Sequence, residues 1–149
     1  MKECPHCGGN LRRPRSSPDH RRLFGLIAAA HAQWPETHEF QPDSPEHLRA
    51  WLTCRAGYRD VTTVQLGDAA DETARDLLVR GVEAALAAAR AVAFVRVHGT
   101  GIAVFTAKSI AWSKLGQDEF HSVRGRIEEI IEAELGVTAE QLLEGADAA

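Results

Sequence analysis

Cys4 and Cys7 stand in a Cys-Pro-His-Cys loop followed by Gly8-Gly9, the spacing with which two thiolates grip one tetrahedral zinc ion. A structural zinc site takes four ligands, and no second Cys-x-x-Cys occurs. His6 or His20 with one further group, or the cysteine pair of a second copy, would have to complete it; the alternative is a reduced, metal-free pair. Just beyond, Arg12, Arg13, Arg15, Arg21 and Arg22 crowd the approach to a helix start. Guanidinium groups meet phosphate in bidentate fashion, and an arginine-rich arm is a usual nucleic-acid footprint. The plainer reading is a solvated linker. Trp34, Trp51 and Trp112 have faces on which bases can stack. Trp51 shares a stripe with Leu48 and Leu52 and is expected in the core, whereas Trp34, at a helix end before Pro35, is the candidate for an exposed platform.

His20, His31, His38 and His47, with Glu36, Glu39, Asp43 and Glu46, supply the side chains of a metal-dependent hydrolase. No HExxH pair, phosphate-binding glycine loop or motif-flanked nucleophile accompanies them. These histidines are therefore expected to cap helices and pin a loop, and no catalytic residue is assigned. Cys54, beside Leu52, reads as a buried apolar cysteine.

The net charge of −4 hides a bipolar distribution: residues 1–22 carry +4, and the segment from Asp118 onward carries −7. Such a molecule can meet phosphate at one end and a basic partner at the other, or pair head to tail. With no run of eighteen apolar residues and no signal-peptide pattern, the expected location is the cytoplasm, without membrane contact.

The elements that must position these groups follow from caps and periodicity. Residues 1–16 read as a Cys-x-x-Cys knuckle and basic linker, 17–144 as a single α+β domain and 145–149 as a frayed tail. Ser17-Pro18 and Ser44-Pro45 each place a capping hydroxyl before a proline suited to a first helical turn. The predicted helices run from about Pro18 to Gln33, with Leu23, Phe24, Ile27 and Ala30 inward, and from Pro45 to Arg55, with Gly57 as the residue past its end. A strand over Asp60–Leu66 is followed by a long alanine-rich helix over Asp71–Arg90, inward on Leu77, Leu78, Gly81, Val82, Ala85, Leu86 and Ala89. Strands Val92–Val97 and Ile102–Thr106 flank the turn His98-Gly99-Thr100-Gly101. An amphipathic helix over Gln117–Leu135 stops at Gly136, and Ala139–Leu143 adds a turn. The small three-stranded sheet is expected to be mostly antiparallel.

The run Arg15-Ser16-Ser17-Pro18-Asp19-His20-Arg21-Arg22-Leu23-Phe24 resembles the segment RS-x-x-Q-N-R-K-L-W that opens the first helix of the lambda NinB (Orf) recombination proteins. The continuation WPETHEFQPDSPEHLRAWLTCRAGYR, with Lys108-Ser109-Ile110 and Leu115-Gly116-Gln117-Asp118-Glu119-Phe120, is more similar to a group of phage and prophage proteins of uncharacterised function. The likeness covers about residues 15–59 and 107–121. The NinB resemblance implies an α+β homodimer that binds single-stranded DNA and assists phage recombination, in the host-cell cytoplasm. Carried over residue by residue, it touches Arg15, His20, Arg21 and Arg22; at Asp19-His20 the family pattern has Gln-Asn, and the Cys-x-x-Cys head has no counterpart. The expected function is a non-enzymatic phage-type accessory protein. It would hold single-stranded DNA through Arg12, Arg13, Arg15, His20, Arg21, Arg22 and Trp34, with Cys4 and Cys7 binding zinc or assisting dimerisation. The alternative is an interaction module, an inhibitor of host defence or an adaptor for host or phage recombination proteins, acting through the acidic C-terminal helix. Third in order stands a metal-dependent nuclease built on the histidine-rich loop.

Overall fold

A computed structural model describes residues 17–68, 71–110 and 115–148. The helix α1 (Ser17–Ala32) is followed by α2 (Pro45–Arg55), strand β1 (Arg59–Gln65), α3 (Glu72–Ala88), strands β2 (Phe94–His98) and β3 (Gly101–Ala107), and helices α4 (Gln117–Leu135) and α5 (Ala139–Asp147). The fold is α+β, with five helices and a three-stranded antiparallel sheet.

Local chemistry sets most of these bounds. The Ser44 hydroxyl accepts from the His47 backbone N–H at 3.1 Å, and Pro45 fills the first helical turn of α2. At the other end Gly57 adopts φ 87°, and the N–H groups of Gly57 and Tyr58 reach back to the carbonyls of Cys54 and Thr53, a Schellman closure that needs a left-handed residue. Helix α4 also ends on a left-handed glycine, Gly136 at φ 69°, but through a single bond from its N–H to the Glu132 carbonyl. Helix α5 runs through Asp147, so residues 145–147 are helical where a frayed tail was expected. A reciprocal capping box between Thr138 and Gln141 secures its start, and Leu142 is buried under it.

The main core lies among the helices. Leu23, Leu26, Ile27 and Ala30 of α1 pack with Leu48, Trp51 and Leu52 of α2, Phe120, Val123, Ile127 and Ile131 of α4, and Leu142 of α5. Each large side chain buried there contributes roughly 1.5–3 kcal/mol. Phe24, expected in this stripe, is half-buried, and Leu26 takes the inward position.

The sheet has the order β1-β3-β2, so the last strand inserts between the first two in a split β-α-β arrangement. Phe94, Phe105 and Val61 share one face, together with Arg59, Thr63, Ala103 and Arg96; Val64, Ile102 and Val97 share the other. The first face meets the helical core through Phe94, whose ring lies 5.8 Å from that of Phe40. Helix α3 lies against β2 and β3, and on the second face Ile102 is buried while Val64 and Val97 stay exposed. Strand β1 is exposed along its whole length. Helix α3 turns Leu78, Val79, Val82 and Leu86 toward the sheet, while Leu77, expected inward, is 64% exposed.

Candidate functional site

The first turns of α1 carry three of the expected DNA contacts. Arg21 and Arg22 are exposed, and Arg22 Nε stands 3.9 Å from Glu128 Oε1 on α4. His20 is half-buried, its ring 4.5 Å from that of Phe24 and 6.0 Å from that of Phe120. Asp19 binds Arg124 Nη1 at 3.0 Å, joining α1 to α4. Arg12, Arg13, Arg15, Cys4 and Cys7 lie outside the described residues, as does Trp112. Among the described residues no group of three or more His, Cys, Asp or Glu side chains is placed to hold a metal ion.

Trp34 is a correction. It is 9% exposed and sits in the main core, not on the surface. Its indole N–H donates to the Phe40 carbonyl at 2.9 Å, and its ring meets Trp51 edge-on at 5.6 Å. The loop after α1 folds back over the indole, so neither face is offered to a base.

His38 in that loop and a histidine from each flanking helix, His31 of α1 and His47 of α2, hold it in place. His31 donates through Nε2 to the Pro42 carbonyl at 3.2 Å. His38 accepts from the Phe40 N–H at Nδ1, 2.9 Å, which leaves Nε2 to donate to Glu134 at 3.2 Å. His47 Nδ1 accepts from the Asp43 N–H at 3.2 Å. Gln41 Nε2 reaches the carbonyls of Pro35, Glu36 and His38. Carboxylates of the acidic C-terminal segment are drawn inward too: Glu134 onto His38, Glu128 beside Arg124 at 3.6 Å, and Glu132 onto the Ala139 N–H at 2.9 Å.

What the fold assembles instead is a cleft of about 640 Å³ between α2 and the Phe94/Phe105 face of the sheet. Its floor is aromatic: Phe40 stacks on Trp51 at 4.9 Å with the planes 4° apart, and Phe94 and Phe105 continue the surface. Three guanidinium groups stand at this surface. Arg55, at the last turn of α2, lies 5.2 Å over the Trp51 ring; Arg59, opening β1, lies 4.8 Å over Phe105 and donates to the Cys54 carbonyl at 3.0 Å. Arg96 projects from β2 on the same face as Phe94. All three are exposed residues, while Glu39 and Glu83 supply the acidic lining.

Cys54 sits beneath Arg59, and burial pushes its thiol up to about 11, with the Arg59 charge pulling weakly the other way. It stays protonated at neutral pH and is a poor nucleophile. The cleft thus offers delocalised cations on aromatic faces, suited to holding an anionic, partly planar ligand.

Comparison with protein-family models, with curated proteins and with solved structures finds no match for this chain.

Arg55, Arg59 and Arg96 escaped the sequence-level site because they come from three elements. One signal was present: Phe94 and Arg96 are two apart in a strand, and period-two alternation puts them on one face.

Proposed function

We propose that the protein binds single-stranded nucleic acid, in the cleft between α2 and the sheet, without catalytic turnover. The observation that carries this reading is the convergence of Arg55, Arg59 and Arg96 on the surface built by Phe40, Trp51, Phe94 and Phe105. Guanidinium groups take phosphate oxygens while exposed ring edges and the Arg planes take bases, a combination that is tolerant of sequence and suited to unpaired strands. Arg21 and Arg22, outside the cleft lining, are exposed on α1. A role in phage recombination or replication belongs to the same proposal and rests on the NinB-like run at 15–24.

Fluorescence anisotropy with a labelled oligothymidine, titrated over salt, tests the reading. Affinity is expected to fall with salt, and Arg59→Ala with Arg96→Ala to weaken binding and flatten the log–log slope by about 0.7 for each phosphate no longer neutralised. No binding at low salt, or an affinity indifferent to both substitutions, refutes it. Weakening confined to Arg21→Ala/Arg22→Ala would move the site to α1.

A further inference from the structure

Two carboxylates stand in a cleft otherwise furnished for anions. Glu39 and Glu83 line it together with Arg55, Arg59 and Arg96, yet no ion pair among the described residues joins any of these side chains to another. The cations are held where they are. Arg55 lies over Trp51, and Arg59 lies over Phe105 while donating to the Cys54 carbonyl. The carboxylates belong to the other two rings: Glu39 immediately precedes Phe40 in the chain, and Glu83, on α3, lines both the cleft and the adjoining recess, a divide it shares with Ala93, the neighbour of Phe94. Both are exposed. The cleft is therefore dipolar, with guanidinium groups over Trp51 and Phe105 and carboxylates beside Phe40 and Phe94.

A carboxylate beside the path of a phosphate backbone repels the strand, so Glu39 and Glu83 add affinity only where the ligand offers them hydrogen-bond donors. Within a DNA strand those donors are on the bases, and the bases differ. Unpaired guanine presents N1–H and the 2-amino group side by side on its Watson–Crick edge, a fork that matches the two oxygens of one carboxylate. Cytosine and adenine present one amino group next to a ring acceptor. Thymine presents one N–H between two carbonyl oxygens that a carboxylate repels.

We propose that Glu39 and Glu83 make the cleft selective for guanine within a single strand. The base stacks on the exposed part of the Phe40 and Phe94 rings, the acidic side takes its N1–H and 2-amino group, and Arg55 and Arg59 hold the neighbouring phosphates. This selectivity rests on the reading of the cleft as a single-strand site and deepens it: arginine and ring contacts are indifferent to the base, whereas the carboxylates are not. The space is suited to it, since about 640 Å³ lies within the range of roughly 300–1,000 Å³ for sites that enclose a small ligand. That is room for a nucleotide rather than for a length of strand.

Fluorescence anisotropy tests this with labelled oligothymidines whose central residue is dT, dC, dA, dG or dI, the last lacking only the 2-amino group of guanine. The dG strand is expected to bind about tenfold tighter than the all-thymine strand, the worth of a good bidentate base contact, with dI between them. Glu39→Gln combined with Glu83→Gln should abolish that ratio. It should also strengthen binding of the all-thymine strand, because two charges of the phosphates' own sign are gone, with far-UV circular dichroism unchanged. Equal binding of all the strands overturns the guanine preference and leaves the single-strand reading standing. So does a preference that dI shares in full, or one that survives the double substitution, since stacking would then account for it. Failure of every strand to bind at low salt overturns both.

Discussion

The Arg59 guanidinium lies 4.8 Å over the Phe105 ring, and the two residues are diagonal neighbours on one face of the β1–β3 ladder, since Arg59 pairs with Ala107 and Phe105 with Val61. Their contact ties the start of an otherwise exposed strand to the wall of the cleft. A double-mutant cycle with Arg59→Ala and Phe105→Leu, followed by urea denaturation, should give a coupling of about 0.5–1 kcal/mol. Strict additivity would mean that the pair contributes nothing.

Gly101 closes the β2–β3 turn and faces Gln65 at the end of β1. A Cβ placed there would fall 1.9 Å from the Val64 carbonyl oxygen and 2.9 Å from the Gln65 Cα. The obstacle is backbone, so a strand must move. Gly101→Ala should cost about 3 kcal/mol, read as a lowered denaturation midpoint. Gly99→Ala, at φ 59° with nothing within 4 Å of the new carbon, should cost only about 1 kcal/mol. The reverse ranking would contradict the ladder register.

Arg90 ends α3 in the left-handed region, φ 53°, the only non-glycine described there. The N–H groups of Arg90 and Ala91 reach the carbonyls of Ala87 and Leu86 at 3.0 and 2.9 Å, the same closure that Gly57 gives α2. Glycine adopts this conformation without the Cβ penalty, at some cost in unfolded-state entropy. Arg90→Gly is therefore expected to raise stability by about 0.5–1 kcal/mol in urea denaturation, whereas the same change at Arg80, mid-helix, should lower it by about 1 kcal/mol.

Cys54 makes stability depend on alkaline pH. Its thiol ionises near 9.0 when unfolded and near 11 in the fold, chiefly because burial disfavours the thiolate. Between those values the unfolded chain holds fewer protons than the folded one, so stability falls as pH rises from about 9 to 11, by on the order of 2 kcal/mol. The difference in unfolding free energy between wild type and Cys54→Ala, followed over that interval, should carry this slope. A constant difference would show that the thiol is not desolvated.

The parts of the fold legible in the sequence are those governed by neighbouring residues. Helix α2 runs from Pro45 to Arg55 as Ser44, Pro45 and Gly57 prescribe, and α4 spans Gln117–Leu135 as its apolar period and Gly136 prescribe. The turn at Gly99-Thr100 was equally local. Illegible were the features made by distant contact. Trp34 is buried because Phe40, six residues on, brings its carbonyl back over the indole. The cleft needs α2, β1 and β2 brought to one face of the sheet with β3 between the strands, and no local pattern ranks Arg55 and Arg59 above the other arginines. The full length of α5 depends on Leu142 finding the core.

The placing of β3 between β1 and β2 also orders events during synthesis. Emerging from the ribosome, β1 has no ladder partner, and it must wait through all of α3 and β2 until Gly101–Ala107 is made. The alanine-rich α3 can form in that interval from local bonds alone, but the sheet closes only with the long-range β1–β3 pairing, the slow kind of step in such topologies. A nascent chain halted before residue 107 therefore displays an unpaired Val-Thr-Thr-Val segment, and it is at this stage that the protein has most need of a chaperone.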